Sequence, residues 1–382
     1  MRVLIDGVRL TNRPAGVIDI TISIINSLSL NFPEYEIIVL THNKLHPDVE
    51  NQIYRNDNIK VIIEKTIFFQ SKGLYWSLFK INSIIKRINP DIFLAPNSLI
   101  SPFFFPKNIK VVVYIHDLVY LLYPESMSLI TKIQMKMFQE YSINRANFFW
   151  TNSEYTKNQL NAFFSDKIKN KLIFSGSGIN SFFLKEYKKY VFDCDKYPFF
   201  DKKYILFVGT QEPRKNILFL LKLFSEIRNK DYHLVIVGSK GWGKLKENIN
   251  DIIYKDGYPI DKLYFTGYID KIDLISIYKF ASIFISTSFN EGLGLPQLEA
   301  MSMGIPVISP NNSAMKEVVS GAGITVVTWD INDWINAINK IEENRDFYIE
   351  RGYKRILNYN WDKVILKFNR DILLDIVNKD LK

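Results

Sequence analysis

Short apolar runs rich in Val, Ile, Phe and Tyr recur along the chain, separated by longer stretches whose apolar residues return every three or four positions. In the first half the short runs are RVLID (2–6), EIIVL (36–40), KVIIE (60–64), DIFLA (91–95), VVVYIH (111–116), FFWTN (148–152) and KLIFS (171–175). In the second half they are YILFVG (204–209), HLVIVG (233–238), KLYFTG (262–267), SIFIST (282–287), PVIS (306–309) and ITVV (324–327). Runs this short, apolar throughout, read as strands covered on both faces. VIDITISIINSLSL (17–30), TKIQMKMFQEYSINRA (131–146), ILFLLKLFSEIRN (217–229) and DWINAINKIEE (333–343) carry the helical period. The alternation predicts an α/β fold built on parallel sheets with crossover helices.

Thirteen strands are too many for one comfortable doubly wound sheet, and 382 residues are ample for two domains. The pattern therefore predicts two Rossmann-like halves, residues 1–190 and 191–365, followed by a C-terminal amphipathic helix at 366–382. The polar, aromatic-rich stretch KEYKKYVFDCDKYPFFDKK (185–203) reads as the link, and LISPFFFP (99–106) as a buried loop broken by prolines.

Charge changes this picture only partly. The net charge of +9 favours an anionic partner: nucleic acid, anionic lipid or a phosphorylated ligand. The basic residues are scattered, with no Arg-rich arm, zinc finger or aromatic RNP-like stretch, so nucleic acid is not expected. A composition rich in Ile, Asn, Lys and Phe is also what an AT-rich genome yields. The lone Cys194 leaves no disulfide framework and no Cys-based metal site, which suits a reducing cytoplasm. MRVLIDGVRL has too short an apolar run for a signal peptide, and no stretch reaches the roughly 18 apolar residues of a membrane span. A cytoplasmic location is expected.

The candidate chemistry sits at 289–309, FNEGLGLPQLEAMSMGIPVIS. In open α/β sheets ligands bind beyond the carboxyl ends of strands. Pro296 suits the first turn of a helix, Gly304 the left-handed position after it, and Gly292 to Leu295 the loop that feeds it. Free backbone N–H groups and the positive end of the helix dipole converge there on an anion, and the glycines let backbone approach a ligand. Glu291 is expected level with the ligand, and Glu299 in the first turn of the helix, reaching back toward it. Carboxylates accept hydrogen bonds from sugar hydroxyls but do not suit phosphate, so amides and carboxylates together fit a sugar nucleotide. The alternative is that Glu299 complements the helix dipole and Glu291 is a solvated loop residue. FVGTQEPRKN (207–216) is a second strand end, placing Arg214 and Lys215 just before a helix, where cations oppose the macrodipole unless an anion lies near. They make a natural diphosphate clamp. No Asp-x-Asp metal motif is present, so no metal is expected.

These two stretches resemble the GT-B-fold glycosyltransferases of family 4, retaining enzymes with an E-x7-E motif, here Glu291 to Glu299 in EGLGLPQLEAMSMGIPVI. The resemblance runs along nearly the whole chain: IDGVRL with Gly16, VVYIHDLVYLLYPE (112–125), RANFFWTNSEYTKNQL (145–160), VGTQEPRKN, LVIVGSKGWG and FTGYI occur in the family's order. It implies two Rossmann-like domains facing across a cleft. The first would be acceptor-binding and the second nucleotide-sugar-binding, with a C-terminal helix from about Trp361 crossing back to the first.

By the same resemblance Glu291 would contact the transferred sugar and stabilise charge at the reacting centre, and Glu299 would bind ribose hydroxyls. Backbone N–H groups of Gly292, Leu293 and Gly294, with Leu295 beside them, would hold sugar and diphosphate. Lys215 matches the family's phosphate-binding lysine. Thr210 stands where the family often has an arginine, and Arg214 would supply that charge. His116 would approach the donor sugar, with Asp117 orienting it or capping the next segment. Gly267 and Tyr268 would lie near the base, and Lys240 to Lys244 would form a basic turn near the nucleotide. Gly16 matches the acceptor loop, although AGVID is thinner in small residues than the family's run.

GTQEPRKN with IHDLVYLLYPE is most similar to bacterial mannosyltransferases that build O-antigen or capsule, which implies GDP-mannose as donor, although related rhamnosyl-, fucosyl- and glucosyltransferases share it, and a glycan or polyprenyl-diphosphate-linked acceptor. FFQSKGLYWSLFKINSIIKR (68–87) mixes Lys72, Lys80, Lys86 and Arg87 with aromatic residues. It suits a peripheral contact with the anionic inner face of the cytoplasmic membrane, or a helix packed on the sheet with a basic outer face. Three other readings fit parts of the pattern: a non-catalytic sugar-nucleotide-binding partner, another enzyme of this fold such as an epimerase or phosphorylase, and a two-carboxylate glycosidase.

Overall fold

A computed structural model of the chain describes residues 1–14, 16–64, 80–101, 105–123, 129–184, 193, 195–239, 245–254 and 257–374. The chain divides into two compact units, Met1–Asn180 with Tyr359–Lys382, and Ser181–Asn358.

The first unit holds a seven-stranded parallel sheet of order β3-β2-β1-β4-β5-β6-β7. Its strands are β1 (Arg2–Asp6), β2 (Glu36–Thr41), β3 (Ile59–Ile63), β4 (Ile92–Ala95), β5 (Lys110–Ile115), β6 (Phe148–Thr151) and β7 (Leu172–Ser175). The second holds a six-stranded parallel sheet of order β10-β9-β8-β11-β12-β13. Those strands are β8 (Tyr204–Val208), β9 (His233–Val237), β10 (Leu263–Gly267), β11 (Ile283–Ile285), β12 (Val307–Pro310) and β13 (Ile324–Val326). Each of the thirteen expected strands is present within one or two residues of its apolar run, because central strands such as Ile92–Ala95 are buried along their whole length and have no polar face to blur the pattern.

Helices cover the sheets by the expected faces. Ile331–Glu343 turns Trp334, Ala337, Ile338 and Ile341 inward, a spacing of three and four. Ile217–Glu226 buries Ile217, Leu220, Leu221 and Phe224 against the same core, which includes Ile205, Phe207, Ile236 and Ile285. Of the stretch 68–87 only residues 80–87 are described. There the helix Ile81–Ile88 buries Ile81, Ile84 and Ile85 and exposes Lys86 and Arg87, with Arg87 paired to Glu64. That is a helix packed on its unit with a basic outer face. Lys72, residues 185–192, Cys194 and Lys240–Lys244 lie outside the described residues.

The unit boundaries fall at 180/181 and 358/359 rather than 190/191 and 365/366. The cause is local: Ile179 N–H donates to the Tyr359 carbonyl (2.9 Å), which ties both chain segments into the first unit. Asn360 then caps the helix Trp361–Phe368 through Lys363 N–H (3.1 Å). The Phe368 ring stacks on Trp150 with centroids 4.1 Å apart, and Tyr35 donates to Asn369 Oδ1 (2.8 Å). A π-helical turn, Asn369–Leu373, buries Ile372 and Leu373 beyond it. No described helix is long and apolar enough to cross a membrane.

Candidate active site

In the second sheet the strand order reverses between β8 and β11, which are hydrogen-bonded neighbours with Ile205 opposite Ile283 and Leu206 opposite Phe284. Their carboxyl ends therefore release two loops side by side, 209–216 and 286–294, at the switch point where such sheets take ligands. The loops are stitched together by backbone: Phe289 N–H donates to the Arg214 carbonyl (2.8 Å) and Thr287 Oγ1 to the Lys215 carbonyl (2.9 Å). Pro213–Lys215 form one 3-10 turn, tightened by Lys215 N–H to the Glu212 carbonyl (3.0 Å). Two glycines keep the floor thin. A Cβ on Gly238 would lie 2.1 Å from the Gly209 carbonyl oxygen, and one on Gly209 would lie 3.3 Å from Cε of Lys215.

The charged side chains form one network. Glu291 Oε1 accepts from Lys215 Nζ and from Ser288 Oγ (2.7 Å), while Oε2 accepts from Arg214 Nη1 (2.9 Å). Arg214 donates from Nε (3.0 Å) and Nη2 (2.6 Å) to Glu212 Oε1, and from Nη1 also to the Asn290 carbonyl. All four side chains are only 9–14% exposed. Burial pushes the Glu291 carboxyl up, but Lys215 and Arg214 outweigh it and hold the group down at about 2. Two carboxylates thus balance two cations. The Arg214–Lys215 pair, expected to face an anion, is turned onto carboxylates of its own chain. Ser313 Oγ fixes the loop further by accepting Glu291 N–H (3.1 Å).

The loop feeds the helix Leu295–Ser302 as expected, with Pro296 in its first turn. Gly294 precedes it in the left-handed region (φ +97°), which only glycine adopts without strain. Leu293 is buried beside it. Glu299 is a correction: because the helix begins at Leu295, Glu299 is its fifth residue and lies past the first turn. Its Oε2 accepts from the hydroxyl of the buried Tyr278 (2.9 Å), whose pKa burial and the carboxylate push well above the usual range.

Residues 195–355 match the family described as glycosyl transferases group 1. The second unit belongs to that family. Among curated proteins, O-antigen chain mannosyltransferase B of Escherichia coli is 33% identical over 175 residues, 44% of this chain and 45% of that protein. O-antigen chain mannosyltransferase RfbU of Salmonella typhimurium is 26% identical over 253 residues, 65% of each chain. The matches thus span less than two thirds of those relatives. Anabaena HepE in complex with UDP-glucose superposes with a TM-score of 0.70 at 16% identity, covering 97% of this chain and 98% of that one. The fold is GT-B, two Rossmann-like units on parallel sheets.

The other expected residues of the group 1 domain lie at the carboxyl end of the same sheet. Thr210 is exposed just beyond β8, its carbonyl accepting from Glu212 N–H (2.8 Å). Gly267 ends β10 at φ +72° with open space where a Cβ would stand, and Tyr268 beside it is 44% exposed. Two candidates belong to the first unit. His116 follows β5 and donates from Nε2 to the Pro96 carbonyl (2.6 Å), a bond that sets its tautomer. Its own carbonyl accepts from Asn152 Nδ2 (2.8 Å), and burial lowers the pKa of the imidazole, which stays neutral. Asp117 caps the segment after it through Val119 N–H (3.2 Å). Gly16 precedes the helix Val17–Asn31 at φ +38°.

Sequence reasoning missed Glu212, Ser288, Asn290, Ser313 and Tyr278. Glu212 carried a readable signal, an acid two residues before Arg214 across a rigid Pro213. Tyr278 carried none, being one apolar helix position among several.

Proposed function

We propose that the protein is a retaining glycosyltransferase that moves a hexosyl group, mannose from GDP-mannose, to a hydroxyl of a lipid-linked or polysaccharide acceptor in bacterial O-antigen or capsule synthesis. The observation that carries the reading is the Glu291 carboxylate, held ionised beside Lys215 at the switch point of a glycosyl transferases group 1 domain. The names of the E. coli and Salmonella relatives favour mannose, and the UDP-glucose on the Anabaena neighbour favours a nucleotide-sugar donor.

Departure of the diphosphate builds negative charge, which Lys215 and the amides of Gly292 to Leu295 stabilise. Positive character builds on the sugar ring, which Glu291 offsets. A carboxyl titrating at about 2 is a poor proton acceptor near neutrality, so the acceptor hydroxyl passes its proton to a phosphate oxygen. Glu299 takes the ribose hydroxyls, Gly267 and Tyr268 flank the base, and Thr210 borders the phosphates. The work is cytoplasmic, at the inner face of the membrane, and needs no metal.

The test is thermal stabilisation by GDP, UDP, dTDP, ADP and their sugars without metal, followed by release of GDP from GDP-mannose. Stabilisation by GDP and GDP-mannose alone supports the reading. Stabilisation by UDP or dTDP compounds overturns the donor. No shift with any of them favours a non-catalytic partner or a phosphorylase.

A further inference from the structure

We infer that Arg214 is a clamp on the Glu291 carboxylate, oriented by Glu212, and not a ligand of the donor diphosphate; of the two cations in this network, Lys215 is the one left to the phosphates. The inference deepens the nucleotide-sugar reading above and rests on it for the identity of the ligand.

A guanidinium has five N–H groups in a fixed planar fork. Four are committed: Nε and one from Nη2 to Glu212 Oε1, and both from Nη1, to the Asn290 carbonyl and Glu291 Oε2. Turning Arg214 toward a phosphate would break these bonds together and leave Glu212, whose side chain is 9% exposed, as a buried carboxylate without its partner. Lys215 differs. Its ammonium has three N–H groups, and Glu291 Oε1 takes one of them. Its stem runs past Gly209, where the absent Cβ leaves room for the chain to shift.

Glu212 is therefore a positioning residue. It anchors the fork, the fork fixes Oε2 of Glu291, and Ser288 with Lys215 fixes Oε1. Pro213 between Glu212 and Arg214 restricts the backbone that joins them. The charge of Arg214 is spent on Glu212, so its substitution alters the placement of Glu291 more than the pull on an anion.

Two measurements on the full chain test this. The first is a split between binding and rate. Arg214→Lys, which keeps the charge of the network, is expected to leave the calorimetric Kd for GDP, or for UDP if that is the nucleotide bound, within about twofold, and both Arg214→Lys and Glu212→Gln are expected to lower release of GDP from GDP-mannose about tenfold or more. Lys215→Met is expected to weaken nucleotide binding about tenfold or more. Weakening by Arg214→Lys equal to that of Lys215→Met overturns the inference. The second needs no ligand. The effects of Glu212→Gln and Glu291→Gln on the unfolding midpoint are expected to be non-additive, and to become additive in an Arg214→Met background. Additivity in the wild-type background overturns it. If neither GDP nor UDP binds the wild type, the nucleotide-sugar reading fails, and the unfolding cycle still decides the clamp.

Discussion

Glu291→Gln keeps the shape of the side chain and removes one charge, and its effects on stability, affinity and rate should have different signs. In the folded chain the carboxyl titrates at about 2, against about 4.5 for an ordinary glutamate. At roughly 1.4 kcal/mol per unit, the difference is worth on the order of 3 kcal/mol of stability near neutrality. Because the folded pKa is depressed, that contribution is complete above about pH 4.5 and is lost as pH falls through about 2. The variant should thus unfold roughly 6–12 °C lower than wild type at pH 7, for a unit of this size, with the gap closing as the solution is acidified. Affinity should move the other way. The network of Glu212, Glu291, Arg214 and Lys215 goes from neutral to one net positive charge. At about 5 Å and an effective dielectric near 20, one charge is worth up to about 3 kcal/mol toward an anion, so GDP should bind about tenfold tighter or more. Turnover should fall, since nothing then offsets charge on the sugar ring. Denaturation from pH 3 to 8, calorimetry with GDP and GDP release from GDP-mannose read the three effects. An unchanged midpoint at pH 7, or weaker GDP binding, refutes the reasoning.

Three further outcomes are expected. Thr210→Arg should tighten GDP binding without loss of stability, because position 210 is exposed beside β8 and gains a cation there; calorimetry and thermal melting check it. Phe368→Ala should destabilise the first unit by roughly 3–5 kcal/mol through loss of its stacking on Trp150, measured by urea denaturation. Turnover should survive EDTA, and loss of activity that a divalent ion restores would count against the metal-independent mechanism.

The central strands were legible because both their faces are covered, so burial wrote itself into unbroken apolar runs such as VVVYIH, while edge strands such as Ile59–Ile63 are partly exposed and were legible from their β-branched content. The order of those strands was not legible. Residues 209–216 and 286–294 are neighbours because β11 joins the sheet beside β8, a pairing that no local pattern encodes. The loop chemistry followed the same divide. Pro296, Gly294 and Gly304 announced the helix and its ends through backbone preference. The partners of Arg214 and Lys215 include a carboxylate about 76 residues away, so the ion network in which the expected anion clamp sits could not be read from the local sequence. The helix begins one residue earlier than expected, which places Glu299 past the first turn, and its partner Tyr278 lies in the preceding helix, where no local pattern announces it.

The first unit is discontinuous, and that sets an order of events during synthesis. Trp150 and Phe174 are made early, but Phe368, which packs on both, follows Asn180 by 188 positions (368 minus 180). At roughly 5–20 residues per second a ribosome takes about 10–40 s to cover that interval. Throughout it the nascent first unit carries an uncovered aromatic face while the second unit emerges and can fold. Chaperone demand should therefore peak late in translation, and released chains ending at residue 358 should be more protease-sensitive in the N-terminal half than the full chain.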